Sequence, residues 1–359
     1  MRSLRTLLRS SARSAALALL GLLPGLASAH EVYVLTSEQI ESGLSAPRTT
    51  VVSVVMQDPS SFLFWGAIAA LVIVAIFLLS LSRALERACR PFFMRIKHYA
   101  PAVARVTIGV SFLAAAYYQA LFGPELPLSV VFGPFASVVT ALLVVIGVLV
   151  IIGWRTRLAA GAALLLFAVA VVEYGSYMLT YTNYLGEIAV LLIVGPHRLG
   201  ADRFRSAAAA ALHPLDAFAK KLAPYSFLIL RIAFGISLIY ASYYAKFLHS
   251  ELAYEVASLP LAGHAFGLAH YFHMEPHFLV LGAGIVELLI GAFILLGIEM
   301  RFTALFLEFW LALSLVYFGE VVWPHLILIG IPIALFMYGY DRYSVEGWLF
   351  KSPDRDPVF

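Results

Sequence analysis

Long apolar runs recur along the chain, and short polar segments separate them. Each run holds about 18 to 22 residues, enough for a helix that rises about 1.5 Å per residue to cross a bilayer core. Lipid offers the backbone no hydrogen-bond partner, so such runs form spanning helices. The pattern predicts nine spans, near 62–82, 101–122, 132–153, 158–177, 180–195, 225–247, 277–297, 302–319 and 322–340.

The first 29 residues have the pattern of a secretory signal peptide. Four arginines within the first 13 residues precede an apolar stretch over 15–26, and the small-residue sequence Ala-Ser-Ala ends at Ala29. Cleavage there would leave His30 as the new N-terminus, outside the cytoplasm. An uncleaved signal anchor is the alternative interpretation of the same segment.

Composition agrees with the membrane class, because 62% of the residues are hydrophobic and only 13% are charged. The single cysteine, Cys89, excludes an intramolecular disulfide and a cysteine-based metal cluster. The segments on one side of the nine predicted spans hold 16 Lys and Arg residues, and those on the other side hold one, Arg48. The positive-inside rule therefore predicts a multi-pass protein of a bacterial-type inner (cytoplasmic) membrane, with its C-terminus in the cytoplasm. Its basic charge meets the lipid surface rather than nucleic acid.

The chain also repeats itself. The sequence RVTIGVSFLAAAYY begins at Arg105, and RIAFGISLIYASYY begins 126 positions later at Arg231. An offset of 144 positions relates further pairs: Gly147 and Gly291, Gly153 and Gly297, Arg157 and Arg301. We interpret the pattern as two copies of a four-helix unit, with 18 extra residues in the second copy. An even number of spans makes the two copies parallel.

The predicted fold class is an all-α polytopic membrane protein, with one N-terminal transmembrane helix and two parallel four-helix repeats. Its predicted parts are the signal peptide 1–29, an extracytoplasmic segment 30–61, a first helix 62–82, a cytoplasmic interfacial segment 83–99, a first repeat 100–205, a linker 206–222, a second repeat 223–350 and a tail 351–359.

The second repeat resembles a known family. Arg231 is followed after three residues by Gly235, Lys246 ends the same helix, and Glu287-x3-Gly291-x5-Gly297-x3-Arg301 follows. These motifs and the ending GYDRYSVEGW are similar to those of the DoxX family. The first repeat resembles a degenerate copy of the same unit. The resemblance implies four-helix membrane units. One branch of that family supplies the membrane subunit of a thiosulfate:quinone oxidoreductase, and other members are tied to thiol and oxidative stress.

Charged residues inside the spans differ between the copies. The second carries Lys246, Glu287 and Glu308 where the first has apolar residues, and the first instead carries Glu173 and Glu187. By helical rise, the depths of Glu287 and Glu308 differ by only about 5 Å. Neighbouring helices could therefore bring the two carboxyl groups together to share a proton, with Lys246 above them. The alternatives are carboxyl groups that only fix helix packing, or that bind a transported ion.

The leading hypothesis is the membrane subunit of a quinone-linked redox complex, with a partner subunit. Lys246, Glu287 and Glu308 are the candidate catalytic residues. The candidate quinone-binding residues are Arg231, Glu287, Glu320 and His325. Whether the chain is itself an enzyme stays open at this point.

A second hypothesis rests on histidines on the predicted outer side. The candidate metal ligands are His264, His270, His273, Met274 and His277, within and after the inserted segment. Imidazole with thioether suits copper, and imidazole with carboxylate suits zinc. Haem would require two histidines that face each other across helices. The alternative functions are therefore metal handling or transport, and a third is a non-catalytic membrane scaffold.

Overall fold

A computed structural model describes residues 42, 45, 59–81, 83–195, 200–201, 221–258, 276–318 and 323–350. Over these residues the protein is all-helical, without a strand. Five segments are long and apolar enough to cross a bilayer: Ala88–Tyr118, Leu128–Ile152, Thr156–Val194, Ala223–Leu248 and Pro276–Leu296. Shorter apolar helices cover Phe62–Ala75 and Pro324–Tyr338. The prediction of an all-α, multi-pass membrane protein is confirmed at this level.

The described helices are numbered in chain order. They are α1 (Pro59–Leu81), α2 (Arg83–Ile96), α3 (Ala100–Tyr118), α4 (Leu128–Phe132), α5 (Ala136–Ile152), α6 (Thr156–Tyr174), α7 (Thr182–Val194), α8 (Ser226–Tyr243), α9 (Ser250–Ser258), α10 (Pro276–Leu296), α11 (Met300–Phe318), α12 (Pro324–Tyr338) and α13 (Val345–Phe350). A π-helix, Tyr244–Leu248, extends α8.

The apolar segment Thr156–Val194 is 39 residues long, but it is not one straight rod. Helix α6 ends at Gly175, whose φ of +57° is a conformation that glycine adopts readily. A 3₁₀-helix, Gly175–Tyr181, then turns the chain, and α7 packs back along α6. The segment therefore forms a helical hairpin of α6 and α7.

The helices pack in matched pairs. Helix α3 lies on α5, and α8 lies on α10, while α7 packs against α8 and α12 packs against α3. Glycines allow the first two contacts. A Cβ at Gly109 would meet the Gly147 carbonyl oxygen at 3.1 Å, and one at Gly235 would meet that of Gly291 at 3.0 Å. Small residues let helix backbones touch in a bilayer, where packing rather than hydrophobicity holds helices together.

Arginines occupy the same ends of two hairpins. Arg157 Nη2 donates to the Ile193 carbonyl at 3.1 Å, and Arg301 Nε donates to the Phe336 carbonyl at 3.1 Å. Each arginine thus satisfies a carbonyl in the last turn of the helix that packs beside its own. We call the membrane side that carries Arg157 and Arg301 the basic face, and the other side the opposite face.

Helix α1 packs on α10 through aromatic rings. The Trp65 and Phe278 ring centroids are 5.3 Å apart, and a Cβ at Gly282 would collide with the Trp65 indole. On the basic face, the segment that contains α2 packs under α12. The Arg301 guanidinium lies 4.1 Å from the Phe93 ring centroid, and Lys97 Nζ lies 4.8 Å from that of Tyr338. These cation–π contacts hold the segment against the helical bundle.

Candidate functional site

An ion pair lies between helices of the C-terminal half. Lys246 Nζ is 3.0 Å from Glu287 Oε2, and the two side chains are only 11% and 24% exposed. Trp310 Nε1 on α11 donates to Glu287 Oε1 at 3.4 Å. Glu287 therefore has its two carboxylate oxygens directed to partners on two other helical elements.

The π-helix positions Lys246. Its five residues, Tyr244–Leu248, continue α8 with a wider turn, next to Gly284 of α10. A Cβ at Gly284 would lie 2.9 Å from the Phe247 ring and 3.3 Å from Lys246 Cβ, so this glycine admits the widened turn. Ser242 Oγ also donates to the Gly284 carbonyl at 3.2 Å. π-Helical turns are rare and frequently occur at functional sites.

The pair lies far from both ends of its helix. Helix α10 runs from Pro276 to Leu296, which puts Glu287 about 16 Å from one end and about 14 Å from the other by helical rise. An ionisable group at such a depth is costly unless it is paired, and it commonly marks a functional site. Lys246 and Glu287 satisfy each other there, with the indole as a third member.

A small apolar cleft lies between α1, α10 and α11. It has room for about one water molecule, and its lining residues are Ala69, Val72, Val286, Leu289, Ile290, Phe293, Thr303 and Phe306. Val286 is the neighbour of Glu287 in the chain, and Phe306 lies one helical turn before Trp310. The cleft is therefore close to the polar group along α10 and α11, but Lys246, Glu287 and Trp310 do not line it.

Glu308 is not a partner of Glu287 in this structure. Its Oε1 is buried and has no hydrogen-bond partner among the described residues. Residues two apart on a helix lie about 200° apart around its axis, so Trp310 and Glu308 leave α11 on opposite sides. Because Trp310 reaches Glu287, Glu308 is directed away from the ion pair.

Arg231 lies at the basic face, at the other end of α8 from Lys246. It is 1% exposed, and its guanidinium donates to the carbonyls of Ile294 (3.2 Å), Leu295 (2.6 Å) and Tyr343 (3.2 Å). Arg231 thus joins the end of α10 to the closing segment of the chain. The structure does not bring it to Lys246 and Glu287.

The closing segment, residues 339–348, has the sequence GYDRYSVEGW, and its polar residues bind to the backbone. Glu346 Oε2 accepts from the Met300 N–H at 3.0 Å, at the start of α11, and the Glu346 N–H donates to the Gly297 carbonyl at 3.1 Å. Asp341 Oδ1 accepts from the Tyr343 N–H at 2.7 Å. Burial raises the pKa of Asp341, against the opposing effect of Arg231. These bonds fix the turn between α10 and α11.

The remaining sequence candidates lie elsewhere. His325 is buried in the first turn of α12, two residues after Trp323, whose ring stacks on Tyr118 at 4.7 Å. His277 Nε2 is 3.4 Å from Glu251 Oε1. Glu320, His264, His270, His273 and Met274 are outside the described residues. Within the described ranges, no group of three or more His, Cys, Asp or Glu side chains is arranged to hold a metal ion.

Sequence reasoning missed Trp310 and the π-helix. The indole N–H of a tryptophan inside a predicted span is a polar group that needs a partner, and this signal could have directed attention to Trp310. The local sequence does not predict the π-helix at Tyr244–Leu248, because the space for its wider turn comes from Gly284 on α10.

The geometry defines a multi-pass α-helical membrane protein with an ion pair within its helical bundle. Residues 226–318 match the sequence model of the DoxX family, and this range contains Lys246, Glu287, Glu308 and Trp310. This region of the chain is therefore similar to that family. No curated protein and no solved structure matches the chain significantly.

Proposed function

We propose that this DoxX-like membrane protein binds a quinone at Lys246 and Glu287 and serves as the membrane subunit of a redox complex. The observation that carries the proposal is the 3.0 Å ion pair in the middle of α10, with the Trp310 indole N–H directed to the other carboxylate oxygen.

The residues at the pair suit a quinone head group. Its carbonyl oxygens accept hydrogen bonds, and the Lys246 ammonium and the Trp310 indole N–H are donors. The Glu287 carboxylate takes up and releases a proton, as reduction of a quinone to a quinol requires two protons with its two electrons. The cleft beside Val286 and Phe306 offers an apolar surface to a polyprenyl tail. The electrons come from a donor subunit outside the bilayer.

We further propose that residues 100–205 and 223–350 are two copies of one unit. The packing of α3 on α5 corresponds to that of α8 on α10, and the contact of α7 with α8 corresponds to that of α12 with α3. The arginine-to-carbonyl bonds of Arg157 and Arg301 also correspond. These matched contacts, and the helical hairpin within Thr156–Val194, support nine spans after removal of a signal peptide at 1–29.

The basic face is cytoplasmic in this proposal, and the protein resides in a bacterial-type inner membrane. Arginine and lysine accumulate on the cytoplasmic side of membrane proteins. Cation–π contacts of Arg301 and Lys97 hold α2, the predicted interfacial segment, at this face.

The two copies do different work. Where the second has Lys246 and Glu287, the first has Ala120 and Leu143, which are 2% and 0% exposed. The equivalent place in the first copy is therefore closed by apolar side chains. We assign the quinone site to the second copy alone.

Quinone content tests the proposal. The purified protein is extracted with organic solvent, and quinone is measured by mass spectrometry for the parent, Glu287→Gln, Lys246→Met and Glu308→Gln. Gln fills the space of Glu but does not ionise, so we expect Glu287→Gln and Lys246→Met to lose quinone. Glu308→Gln should keep it, because Glu308 is directed away from the pair.

Full quinone content in both Glu287→Gln and Lys246→Met contradicts the assignment. Metal analysis of the same samples addresses the alternative function. Stoichiometric copper or zinc without quinone supports metal handling, and a sample with neither supports the scaffold.

A further inference from the structure

A second polar constellation lies in the predicted first repeat, residues 100–205, away from Lys246 and Glu287. It begins at Glu125, in the loop between α3 and α4. Tyr177 donates a hydrogen bond to Glu125 Oε1 at 2.9 Å, and the Tyr181 hydroxyl donates to the same oxygen. Gly123 leaves room for this contact, since a Cβ there would collide with the Tyr181 hydroxyl. A carboxylate at the opposite face is therefore joined to two tyrosines that lead to α7.

The next polar group is Tyr184, one turn further along the chain. It is 1% exposed, and its ring centroid is 6.0 Å from that of Tyr181. The Tyr184 hydroxyl and Ser111 Oγ are 2.6 Å apart, in a hydrogen bond between α7 and α3. Along α7, Tyr184 lies one turn from Glu187, and Tyr181, which contacts Glu125, lies one turn to its other side.

Glu187 lies one further turn along α7. It is 2% exposed, and neither of its carboxyl oxygens has a hydrogen-bond partner among the described residues. An ionised carboxylate without a partner is very costly in apolar surroundings, so a group in this position carries its proton. As a packing residue, leucine would serve better here. An unpaired carboxyl at this depth needs another explanation.

A cleft continues from Glu187 towards the basic face. It is narrow, with room for about one water molecule, and α3, α7 and α8 line it. Glu187 and Ile108 lie at one end, and Pro101 and Gly195, at the helix ends of the basic face, lie at the other. Glu187, whose two carboxyl oxygens have no hydrogen-bond partner among the described residues, therefore lines this cleft.

We propose that Glu187 is a proton-binding group in the middle of a proton path along α3 and α7. The path runs from Glu125 through Tyr181 and the Tyr184–Ser111 pair to Glu187, and from there along the cleft to the basic face. Each hydroxyl takes up one proton on its oxygen as it releases its own, and Glu187 accepts one proton and later releases one. Water bridges gaps that exceed hydrogen-bond length.

A cation lines the cleft that contains Glu187. It is Arg105 on α3, and it favours the carboxylate transiently when the proton leaves. Arg157 on α6 donates to the Ile193 carbonyl, and Arg231 on α8 donates to carbonyls of α10. These two arginines are therefore engaged with backbone carbonyls at the basic face.

This inference is independent of the quinone proposal, because it rests on different polar residues. The test uses the purified full-length protein in liposomes that contain a pH-sensitive dye, with a potassium gradient and valinomycin to drive proton entry. We expect the parent to conduct protons above the rate of empty liposomes. Glu187→Gln should reduce this flux about 10²-fold, the scale of a lost acid–base group. Glu173→Gln is the matched control, because Glu173 is an exposed carboxyl on the neighbouring α6, and its flux should equal that of the parent.

Tyr184→Phe tests whether loss of flux in Glu187→Gln comes from the proton path or from misfolding. It removes one hydroxyl, keeps the ring, and should also reduce the flux while the melting temperature stays within a few degrees of the parent. A parent flux equal to that of empty liposomes overturns the proposal. Unchanged flux in Glu187→Gln overturns it as well, and leaves Glu187 a packing residue.

Discussion

Replacing Lys246 by methionine measures what the Lys246–Glu287 pair contributes to stability. At the observed 3.0 Å separation, the attraction between the charges is about 5 kcal/mol for an effective dielectric constant near 20. Desolvation of both ions offsets much of this attraction. Removal of one partner leaves the other charge uncompensated, which costs about 3–5 kcal/mol for a fully buried pair. Because the side chains are 11% and 24% exposed, we expect about 2–3 kcal/mol for Lys246→Met.

The double variant Lys246→Met with Glu287→Leu provides the decisive comparison. It removes both charges, so no unpaired ion remains, and it should be more stable than either single variant. Glu287→Leu alone also breaks the 3.4 Å bond from Trp310, a smaller loss than the unpaired Lys246 ammonium. The expected coupling energy between the two positions is about 2 kcal/mol.

Equilibrium unfolding in mixed micelles, with SDS as the denaturant, gives the free energies of unfolding of the parent, the two single variants and the double variant. These four values form a double-mutant cycle. If the cost of the double variant equals the sum of the single costs within about 0.5 kcal/mol, the positions are independent. The 3.0 Å contact would then have no energetic meaning, and the reasoning from an ion pair would be refuted.

Two further predictions concern packing and orientation. Gly291→Ala should lower the free energy of unfolding by about 1–3 kcal/mol, because its Cβ would lie 2.8 Å from Ile239 Cγ1. Gly161→Ala, in the middle of α6 with nothing within 4 Å of the new Cβ, should instead stabilise by about 0.5–1 kcal/mol, and equal melting temperatures for the two variants would contradict the close approach. In intact cells, an impermeant thiol reagent should label Ser176→Cys, in the exposed turn at the opposite face, and leave native Cys89 unlabelled. Labelling of Cys89 from outside would reverse the proposed orientation.

The positions of the helices could be predicted from the sequence, because apolar length is a property of a continuous segment. The predicted span 277–297 corresponds to Pro276–Leu296, and 302–319 corresponds to Met300–Phe318. The contacts of Arg157 and Arg301 could not be predicted from the sequence. The sequence identifies both only as a matched pair of the repeat, whereas in the structure each donates to a backbone carbonyl 35 or 36 residues further along the chain.

At the candidate site, the depth of a residue in the membrane is not enough to predict which side chains contact each other. Helical rise put Glu287 and Glu308 at similar depths, but their direction around the helix axes depends on how α10 and α11 pack. Trp310, rather than Glu308, reaches Glu287. The pair of Lys246 and Glu287 joins residues 41 positions apart, and the π-helical turn that positions Lys246 has no local sequence signal.

The reciprocal contacts of α7 with α8 and of α12 with α3 have a consequence for how such a protein arises. In the proposed two-copy arrangement, the last spanning helix of each copy covers the first spanning helix of the other copy, so the boundary between the copies is formed by the same kind of surface twice. A lone four-helix chain would bury that surface by associating with a second copy of itself about a two-fold axis. Fusion of two such genes would keep the assembly intact while freeing one partner to lose its polar residues and acquire others.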